Sequence, residues 1–276
     1  MANSFFIMGC GKMGSALLAG WLSGTLADDT DFIIIDPFFD PSSPALAHSS
    51  VHHFTSLDKA IIAGHNKADM MLLSVKPQMM AEALADISKL AISDTLFLSI
   101  AAGTTLRQLA DMIGAPKLPA IIRTMPNTPA AIGKGMTALI GNDAASEAQL
   151  ALAEELMSVC GLVVRLQAEA ELDAVTALSG SGPAYIFAMA EAMTQAGIRL
   201  GLSPEMASLL AQQTIYGAGA LMAESDETPA TLRINVTSKG GTTAAALAHI
   251  MADDGLAELM MRAMQAAYDR SQSLGQ

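Results

Sequence analysis

The chain has few aromatic residues, few basic residues and only two cysteines, and each shortage narrows what the protein can be. Phe, Trp and Tyr together make up 4% of the 276 residues, so aliphatic side chains, alanine and methionine must fill the core. Lys and Arg number 15 against 27 Asp and Glu, which gives a net charge of −12. Because phosphate binding needs clustered basic side chains, this balance argues against a nucleic-acid partner.

The cysteines, Cys10 and Cys160, lie too far apart in sequence to suggest a disulfide framework or a metal site. His52 and His53 have no Cys or carboxylate at a metal-ligand spacing, and we expect them in a surface loop. The N-terminus has no basic region before its apolar run, so it does not have the pattern of a signal peptide. No apolar run reaches the length of a membrane span, and the sequence therefore predicts a soluble cytoplasmic protein.

What the chain does have is a large apolar fraction, 51% of its residues, which is enough for a full core. In the first half, short apolar runs alternate with helix-like segments, which is typical of an α/β fold with a parallel sheet. The predicted strands are Phe5–Met8, Phe32–Ile35, Met70–Val75, Phe97–Ile100, Pro119–Thr124, Met136–Ile140 and Leu162–Leu166. A helix over residues 146–159, with Ser146 as its N-cap, separates the last two.

The first predicted strand leads directly into Gly9-Cys10-Gly11-Lys12-Met13-Gly14, and a helix-like segment follows. This is the G-x-G-x-x-G pattern in the strand, turn and helix setting that a dinucleotide-binding site requires. Gly9 permits the tight turn, and Gly11 lets the backbone approach a pyrophosphate. Gly14 lets the helix pack closely on the strand. The pattern indicates an N-terminal Rossmann domain.

The second predicted strand ends at Asp36-Pro37. An acid there has the spacing, about 20 residues after the glycine loop, that is typical of a contact to the ribose 2′-hydroxyl. A carboxylate repels a 2′-phosphate, and no arginine follows before Arg107. The sequence therefore favours NADH over NADPH. The alternative is that Asp36-Pro37 only ends the strand and opens a turn.

Three more segments follow predicted strands, at the sheet edge where open α/β sheets bind ligands. Val75-Lys76-Pro77 follows the third strand, and Ala101-Ala102 follows the fourth and leaves room for a flat ring. Asn127 lies in a stiff loop between two prolines and offers both a donor and an acceptor, as a nicotinamide carboxamide needs. An ordinary turn asparagine is the alternative.

The second half changes character, since no strand is predicted after Glu169. Ala, Leu and Met recur at helical spacing over residues 185–200, 204–223 and 256–271. Such a helical domain is too elongated and apolar to be stable alone, and we expect it to pack against a second copy as a homodimer. The predicted domains are residues 1–165, which bind NAD(P), and residues 166–276, which are helical.

A short polar stretch, Val236 to Ala244, combines hydroxyls, two glycines and Lys239 before a predicted helix over residues 244–251. The glycines and the helix start leave backbone N–H groups uncommitted, and such groups suit a small carboxylate or phosphate. Considered alone, the stretch is also consistent with a capped loop between two helices.

These motifs together resemble those of the pyrroline-5-carboxylate reductase family over nearly the whole chain. The matching segments are Gly9–Gly14, Val75–Pro77, Ala101–Gly103, Arg123–Pro129, Leu178–Tyr185 and Val236–Thr243. The resemblance implies a Rossmann domain followed by an all-helical dimerisation and substrate-binding domain. It also implies NADPH- or NADH-dependent reduction of 1-pyrroline-5-carboxylate to L-proline, the final step of proline biosynthesis.

The resemblance further implies roles for individual residues. Four residues of the glycine turn would hold the substrate carboxylate: Ser238, Gly240, Gly241 and Thr242. Thr243 would also bind substrate, beside the ring nitrogen, and is the predicted catalytic residue. Glu169 aligns with a position that contacts the substrate side, and Asn235 aligns with one that faces the cofactor. No metal is implied.

The chain departs from the family pattern at two places. Lys239 stands where the family usually has proline, and we expect a solvated lysine that points away from the site. Asp36 stands where the family often has Ser, Asn or Arg, residues that suit a 2′-phosphate. This second departure is consistent with the preference for NADH.

Two other function classes share part of the pattern. A β-hydroxyacid-type dehydrogenase has the glycine loop and a helical second domain, but its chemistry needs a lysine on an interior helix. The only lysine after Lys134 is Lys239, in a turn. A non-catalytic NAD(P)-binding protein would keep the glycine loop without any need for the turn at Gly240–Thr243.

Overall fold

The computed structural model describes residues 3–275, which form two compact units. The first unit comprises the chain up to Gly180 together with the chain from Tyr268 onward, and the second comprises Ser181–Ala267. The division predicted at residue 165 falls at the end of the last strand, whereas the first unit continues beyond it. Leu172 and Ala177 are buried, which accounts for the inclusion of this segment in the first unit.

Eight strands of the first unit form one sheet. They are β1 (Asn3–Met8), β2 (Thr30–Ile35), β3 (Val51–Phe54), β4 (Met70–Leu73), β5 (Leu96–Ser99), β6 (Ala120–Met125), β7 (Gly135–Gly141) and β8 (Gly161–Arg165). Their order is β3-β2-β1-β4-β5-β6-β7-β8. The β6–β7 pair is antiparallel, and the other neighbouring strands pair in parallel. The chain first adds β2 and β3 on one side of β1 and then adds β4 and β5 on the other. Open α/β sheets bind ligands in the crevice at such a switch in strand order, here between β1 and β4.

The predicted α/β fold and the seven predicted strands are confirmed, but the assignment of His52 and His53 to a surface loop was wrong. Both lie in β3, which pairs with β2 at one edge of the sheet. Two polar histidines interrupt the apolar pattern of this strand, so periodicity did not reveal it. In the parallel pairing with β2, His52 lies opposite Ile33 and His53 lies opposite Ile34.

Six helices accompany these strands in the first unit. They are α1 (Lys12–Leu22), α2 (Leu57–Ile62), α3 (Met80–Leu84), α4 (Leu106–Ile113), α5 (Glu147–Ser158) and α6 (Glu171–Val175). Helix α5 begins as predicted, because Ser146 caps it in a reciprocal hydrogen-bonded box with Gln149. Helix α4 begins with the same device, formed by Thr105 and Gln108.

Both faces of the sheet are buried. Along β1, Phe5 and Ile7 belong to the hydrophobic cluster on one face, and Phe6 and Met8 belong to the cluster on the other. Trp21 of α1 completes the first cluster, and its indole N–H donates to the carbonyl of Leu156, 2.8 Å away. Burial on two faces explains why the strands are continuous apolar runs without alternation.

The second unit contains helices, and no strand occurs in the described chain after β8. The helices are α7 (Gly182–Arg199), α8 (Pro204–Glu224), α9 (Pro229–Asn235), α10 (Thr242–Ile250) and α11 (Leu256–Leu274), of which α11 begins here and ends in the first unit. Within α7–α10, the buried side chains are Ala207 and Ala211 alone. Of the helices between residues 3 and 275, none combines the length and the apolarity that are needed to cross a bilayer.

Candidate active site

The glycine loop has the geometry that its three glycines predict. Gly9 has φ +81°, and a Cβ there would lie 2.7 Å from the side chain of Val75. A Cβ on Gly14 would lie 3.1 Å from Ser74 Oγ and 3.2 Å from the carbonyl oxygen of Gly9, so helix and strand meet closely. Around Gly11, by contrast, no atom lies within 4 Å of a built Cβ. The loop is therefore tight where the protein packs and open where a pyrophosphate would approach.

Helix α1 begins directly after this open position. Gly11 is its N-cap and provides no side-chain hydrogen bond, so the first backbone N–H groups, among them those of Lys12 and Met13, have no capping side chain. These donors and the positive end of the helix dipole suit a phosphate. The loop and the helix start together fit the pyrophosphate of a dinucleotide.

Asp36 lies at the carboxyl end of β2, and main-chain groups hold its carboxylate in place. One oxygen accepts a hydrogen bond from the N–H of Cys10, and the other accepts one from the N–H of Phe38, both at 2.8 Å. The ring of His53 also contacts this segment, since its Nε2 lies 2.8 Å from the carbonyl oxygen of Asp36. The carboxylate therefore has a defined position next to the glycine loop.

A cleft of about 530 Å³ opens beside the glycine loop and the ends of β2 and β4. Five predicted cofactor residues line it: Gly9, Gly11, Asp36, Val75 and Lys76. It is also lined by residues that sequence reasoning missed: Phe38, Thr55, Met79 and Glu82. Phe38 is 84% exposed and follows Asp36-Pro37 directly. Its position next to the predicted ribose contact could have identified it as a residue of the cofactor cleft. Thr55 directly follows β3. Because β3 was not predicted from the sequence, nothing indicated that Thr55 lies at the edge of the sheet.

The other predicted residues of the first unit lie at neighbouring positions. Gly14 is in the first turn of α1, and Pro77 begins a short 3₁₀ turn that leads into α3. Ala101-Ala102 follows β5, where Gly103 has φ +77° and forms the bend before α4. Alanine side chains leave this turn without bulk beyond Cβ.

Asn127 already uses both ends of its side chain within the protein. Its amide nitrogen donates to the carbonyl of Ser179 at 3.0 Å, and its amide oxygen accepts from the N–H of Met136 at 2.9 Å. The side chain thus ties the loop after β6 to the π-helical turn Thr176–Gly180. The amide nitrogen keeps a second N–H that has no partner among the described residues.

Glu169 forms a network that connects three segments of the first unit. Its Oε1 accepts from the N–H of Leu106 at 2.7 Å and from Nη1 of Arg123 at 2.5 Å. Arg123 is 8% exposed and the side chain of Glu169 is 32% exposed, so the carboxylate at the edge of solvent compensates a buried guanidinium that would be costly alone. Sequence reasoning placed Arg123 in a family motif but did not identify its partner, because the two residues are separated by 46 positions.

The glycine turn of the second unit has a defined shape. Gly240 has φ +73°, and the N–H of Gly241 donates to the carbonyl of Ser238 at 3.1 Å, which closes a tight turn. Gly241 is then the N-cap of α10 and has no side-chain cap. The first N–H groups of α10, including those of Thr242 and Thr243, are therefore available to an acceptor from outside the helix.

The remaining predicted residues divide between the two units. Asn235, at the end of α9, belongs to the second unit with the glycine turn, and its amide donates to a carboxylate oxygen of Glu227 at 2.9 Å. Glu169 belongs to the first unit with the cofactor cleft. Lys239 is exposed, in agreement with the expected solvated lysine.

Both cysteines are buried, and burial opposes ionisation of their thiols. Cys10 is buried in the glycine loop, and burial raises the pKa of its thiol to about 11. Burial likewise raises the pKa of Cys160. In the described part of the chain, no group of three or more His, Cys, Asp or Glu side chains is arranged to hold a metal ion.

Comparisons with known proteins agree with this geometry. A family model described as "NADP oxidoreductase coenzyme F420-dependent" matches residues 4–103, and one described as "Pyrroline-5-carboxylate reductase dimerisation" matches residues 169–274. The chain is 40% identical to pyrroline-5-carboxylate reductase of Haemophilus influenzae over 273 residues, which cover 97% of this chain and 96% of the relative.

Solved structures show the same similarity. A pyrroline-5-carboxylate reductase from Coxiella burnetii aligns with a TM-score of 0.85 at 33% identity and covers 100% of this chain and 99% of its own. Plasmodium falciparum pyrroline carboxylate reductase with NADP bound aligns with a TM-score of 0.80 at 28% identity, covering 100% of this chain and 98% of its own.

Proposed function

The chain belongs to the pyrroline-5-carboxylate reductase family of NAD(P)H-dependent oxidoreductases, and we propose how its own residues reduce 1-pyrroline-5-carboxylate to L-proline. This reduction of a cyclic imine is the final step of proline biosynthesis. The observation that carries the assignment of the site is the turn at Gly240–Thr243. A dinucleotide-binding protein without this substrate needs the glycine loop but not a second, separate set of backbone donors at a helix start.

The cofactor residues lie at the carboxyl edge of the sheet. Backbone donors at the start of α1 would hold the pyrophosphate, and Asp36 would accept from the adenosine ribose. Ala101-Ala102 and Asn127 would receive the nicotinamide, and Asn235 is proposed as a further cofactor residue because it aligns with a family position that faces the cofactor. When bound, the reduced nicotinamide supplies the hydride that the imine carbon accepts.

The substrate residues lie in the turn before α10. The N–H groups at Gly240 and Thr242, with the hydroxyl of Ser238, hold the carboxylate, because a helix start favours negative charge. Gly241 shapes this site, since its own N–H closes the turn on Ser238 and it is the N-cap of α10. The hydroxyl of Thr243 forms a hydrogen bond with the ring nitrogen and orients the imine. A threonine hydroxyl of ordinary acidity is a poor acid, so the proton comes from solvent or arrives with an iminium substrate. Glu169 is proposed to contact the substrate side, as the resemblance to the family implies, and its carboxylate is held by Arg123 and the N–H of Leu106.

A preference for NADH over NADPH follows from Asp36. Its carboxylate is held by two backbone N–H groups, so it has no free rotation by which to avoid a 2′-phosphate. Glu82 and Asp86 also line the cleft, where Lys76 is the basic residue, and this excess of negative charge disfavours an additional phosphate.

Residues 166–276 serve dimerisation and substrate binding, and residues 1–165 bind the cofactor. The match of residues 169–274 to a dimerisation domain supports a homo-oligomer, and the exposed apolar helices of the second unit support a homodimer in particular.

The activity is tested by following oxidation of NADH and of NADPH after addition of 1-pyrroline-5-carboxylate, with L-proline measured as product. We expect one proline for each cofactor oxidised. Reduction of NAD⁺ by 3-hydroxyisobutyrate, without any reaction of the imine, would instead indicate a β-hydroxyacid-type dehydrogenase. Binding of cofactor without either reaction would indicate a non-catalytic protein.

The role of Thr243 is tested by Thr243→Val, which keeps the shape of the side chain and removes the hydroxyl. We expect kcat/KM for the imine to fall about 10- to 100-fold, the loss that corresponds to a hydrogen bond with a charged group. Thr243→Ser keeps the hydroxyl and should retain most of the rate. Equal losses in both variants would mean that the methyl group, and not the hydroxyl, matters at this position.

A further inference from the structure

The C-terminal part of α11 lies on the turn that follows β5. A Cβ on Gly103 would lie 2.9 Å from Cβ of Leu274, and one on Gly275 would lie 3.2 Å from the carbonyl oxygen of Gly103. Glycine is thus required at 103 both for its positive φ of +77° and for this close approach. The two segments are in direct contact although 170 residues of sequence lie between them.

A hydrogen bond from Gln108 holds the same contact. The amide nitrogen of Gln108 donates to the carbonyl of Gly275 at 3.1 Å, while its amide oxygen accepts from the N–H of Thr105 at 2.9 Å. One side chain therefore caps α4 and binds the C-terminal segment at the same time. Thr105 is the last residue of the turn and the N-cap of α4. The side chain of Gln108, in the first turn of α4, therefore connects the turn to Gly275.

Two more contacts hold the surrounding residues. Ser271 is 5% exposed, and its hydroxyl donates to Asp173 at 2.6 Å. On the other side, Glu169 accepts from the N–H of Leu106, the first residue of α4. A polar cavity of about 370 Å³ separates these contacts and is lined by Arg123 and Glu169. The turn after β5 is thus supported on one side by Glu169 and on the other by the C-terminal segment.

From these contacts we infer that residues Ser271–Gly275 are a clamp that positions the Ala101–Thr105 turn for the nicotinamide end of the cofactor, with Gln108 as the positioning residue. This inference rests on the proposed cofactor role of Ala101-Ala102. The turn itself has little to hold it, since its residues are Ala, Gly and Thr, and Gly103 adds backbone freedom. Contacts from Leu274, Gly275 and Gln108 restrict that freedom, and preorganisation of this kind lowers the cost of binding.

The test is Gln108→Glu, which separates the two functions of this side chain. Glutamate keeps the acceptor for the N–H of Thr105, and it is a preferred residue at this position of a capping box. It loses the donor to Gly275 and places a carboxylate against that carbonyl. We expect KM for NADH to rise about three- to tenfold, the effect of losing one hydrogen bond, with KM for pyrroline-5-carboxylate unchanged.

The matched control is Gln149→Glu in the equivalent capping box of α5, which has no contact with the C-terminal segment. It should leave both KM values as in the wild type. A second variant, Ser271→Ala, releases the clamp at the bond to Asp173 and should raise KM for NADH in the same direction. Both clamp variants should show faster hydrogen exchange at residues 101–105.

The clamp is refuted if exchange at residues 271–275 accelerates while exchange at 101–105 and KM for NADH stay at wild-type values. It is also refuted if the control Gln149→Glu raises KM for NADH as much as Gln108→Glu does. Titration of NADH into each variant, followed by calorimetry, measures cofactor affinity without turnover. Failure of the imine assay would therefore refute the proposed function while leaving the clamp separately measurable.

Discussion

At the scale of single residues, two predicted cofactor side chains, Asp36 and Asn127, are held by the main chain. The Asp36 carboxylate accepts from two backbone N–H groups, and the Asn127 amide connects two backbone segments. Backbone partners leave little rotational freedom, so each group presents its remaining hydrogen-bonding capacity in one direction. The effect of a substitution at Asp36 or Asn127 on cofactor binding consequently depends on whether the new side chain preserves these hydrogen bonds.

Asp36→Asn removes the charge of Asp36 and keeps the shape of the side chain together with one of its two acceptor oxygens. We expect the ratio of kcat/KM for NADPH to that for NADH to rise at least ~10-fold, because the repulsion of a 2′-phosphate is lost. The measurement is steady-state kinetics with both cofactors.

Asp40→Asn is the matched control, since Asp40 lies in the same loop and accepts from the N–H of Ser42 at 2.8 Å. It should not change the ratio. A wild-type protein that already prefers NADPH strongly would contradict the assignment of Asp36.

At the scale of elements, two helix starts provide the donors of the proposed site. Helices α1 and α10 both begin after a glycine N-cap that offers no side-chain hydrogen bond. Helices α4 and α5, by contrast, begin with reciprocal capping boxes. A side-chain cap satisfies the first N–H groups, whereas a glycine cap leaves them to a ligand. The glycine caps therefore distinguish the starts of α1 and α10, which are proposed to bind anions, from the capped starts of α4 and α5.

The geometry of the turn before α10 also explains why the family usually has proline at the position of Lys239. Ser238 to Gly241 forms a turn with Gly240 at its third position and φ +73°, the geometry of a type II turn, and this turn favours proline at its second position. Lys239 occupies that position. We expect Lys239→Pro to raise the free energy of unfolding by about 0.4–1 kcal/mol, because it restricts the unfolded chain, with activity retained.

Urea unfolding and the imine assay measure the two effects. Gly240→Ala is the opposing control and should destabilise by about 1–2 kcal/mol, since it forces a side chain into the left-handed region. Loss of activity in Lys239→Pro and Lys239→Ala alike would show that the ammonium group takes part in binding or catalysis.

At the scale of the whole molecule, the two units differ in how they bury their apolar residues. The first unit covers both faces of its sheet. In the second unit, large apolar side chains such as Phe187, Leu209 and Tyr216 are more than half exposed. Exposed apolar surface of this extent marks an interaction surface, and the match to a dimerisation domain identifies the kind of partner.

Leu209→Asp tests this surface. Leu209 is 64% exposed on α8, and Tyr216 lies on the same face two turns later, so a charge there opposes burial against a second copy. We expect light scattering to show twice the chain mass for the wild type and a shift towards one chain mass for the variant.

Ile62→Asp is the matched control, because Ile62 is 85% exposed on α2 of the first unit. It should keep the wild-type mass. If Leu209→Asp also keeps it, the exposed face of α8 is not the contact between subunits.

Much of the fold follows from the sequence, because buried parallel strands are continuous apolar runs and helices carry their own start signals. The strand before Gly9 and the N-cap Ser146 are examples, and both occur where they were predicted. Strand β3 was missed because an edge strand tolerates His52 and His53, which its neighbour β2 stabilises. The pattern of residues along one segment does not predict a strand that is stabilised mainly by its pairing with a neighbouring strand.

The shortage of aromatic and basic residues also had a direct consequence, since it indicated a helix-rich core filled by small and flexible side chains and argued against a nucleic-acid partner. The sequence by itself determined the glycine loop, the acid at 36 and the turn before α10, because each depends on residues adjacent in the chain.

Only the tertiary structure decided the Glu169–Arg123 pair and the contact of Gln108 with Gly275, which join residues 46 and 167 positions apart. Such bonds have no signature in local sequence, because their geometry exists only after the sheet has brought distant segments together.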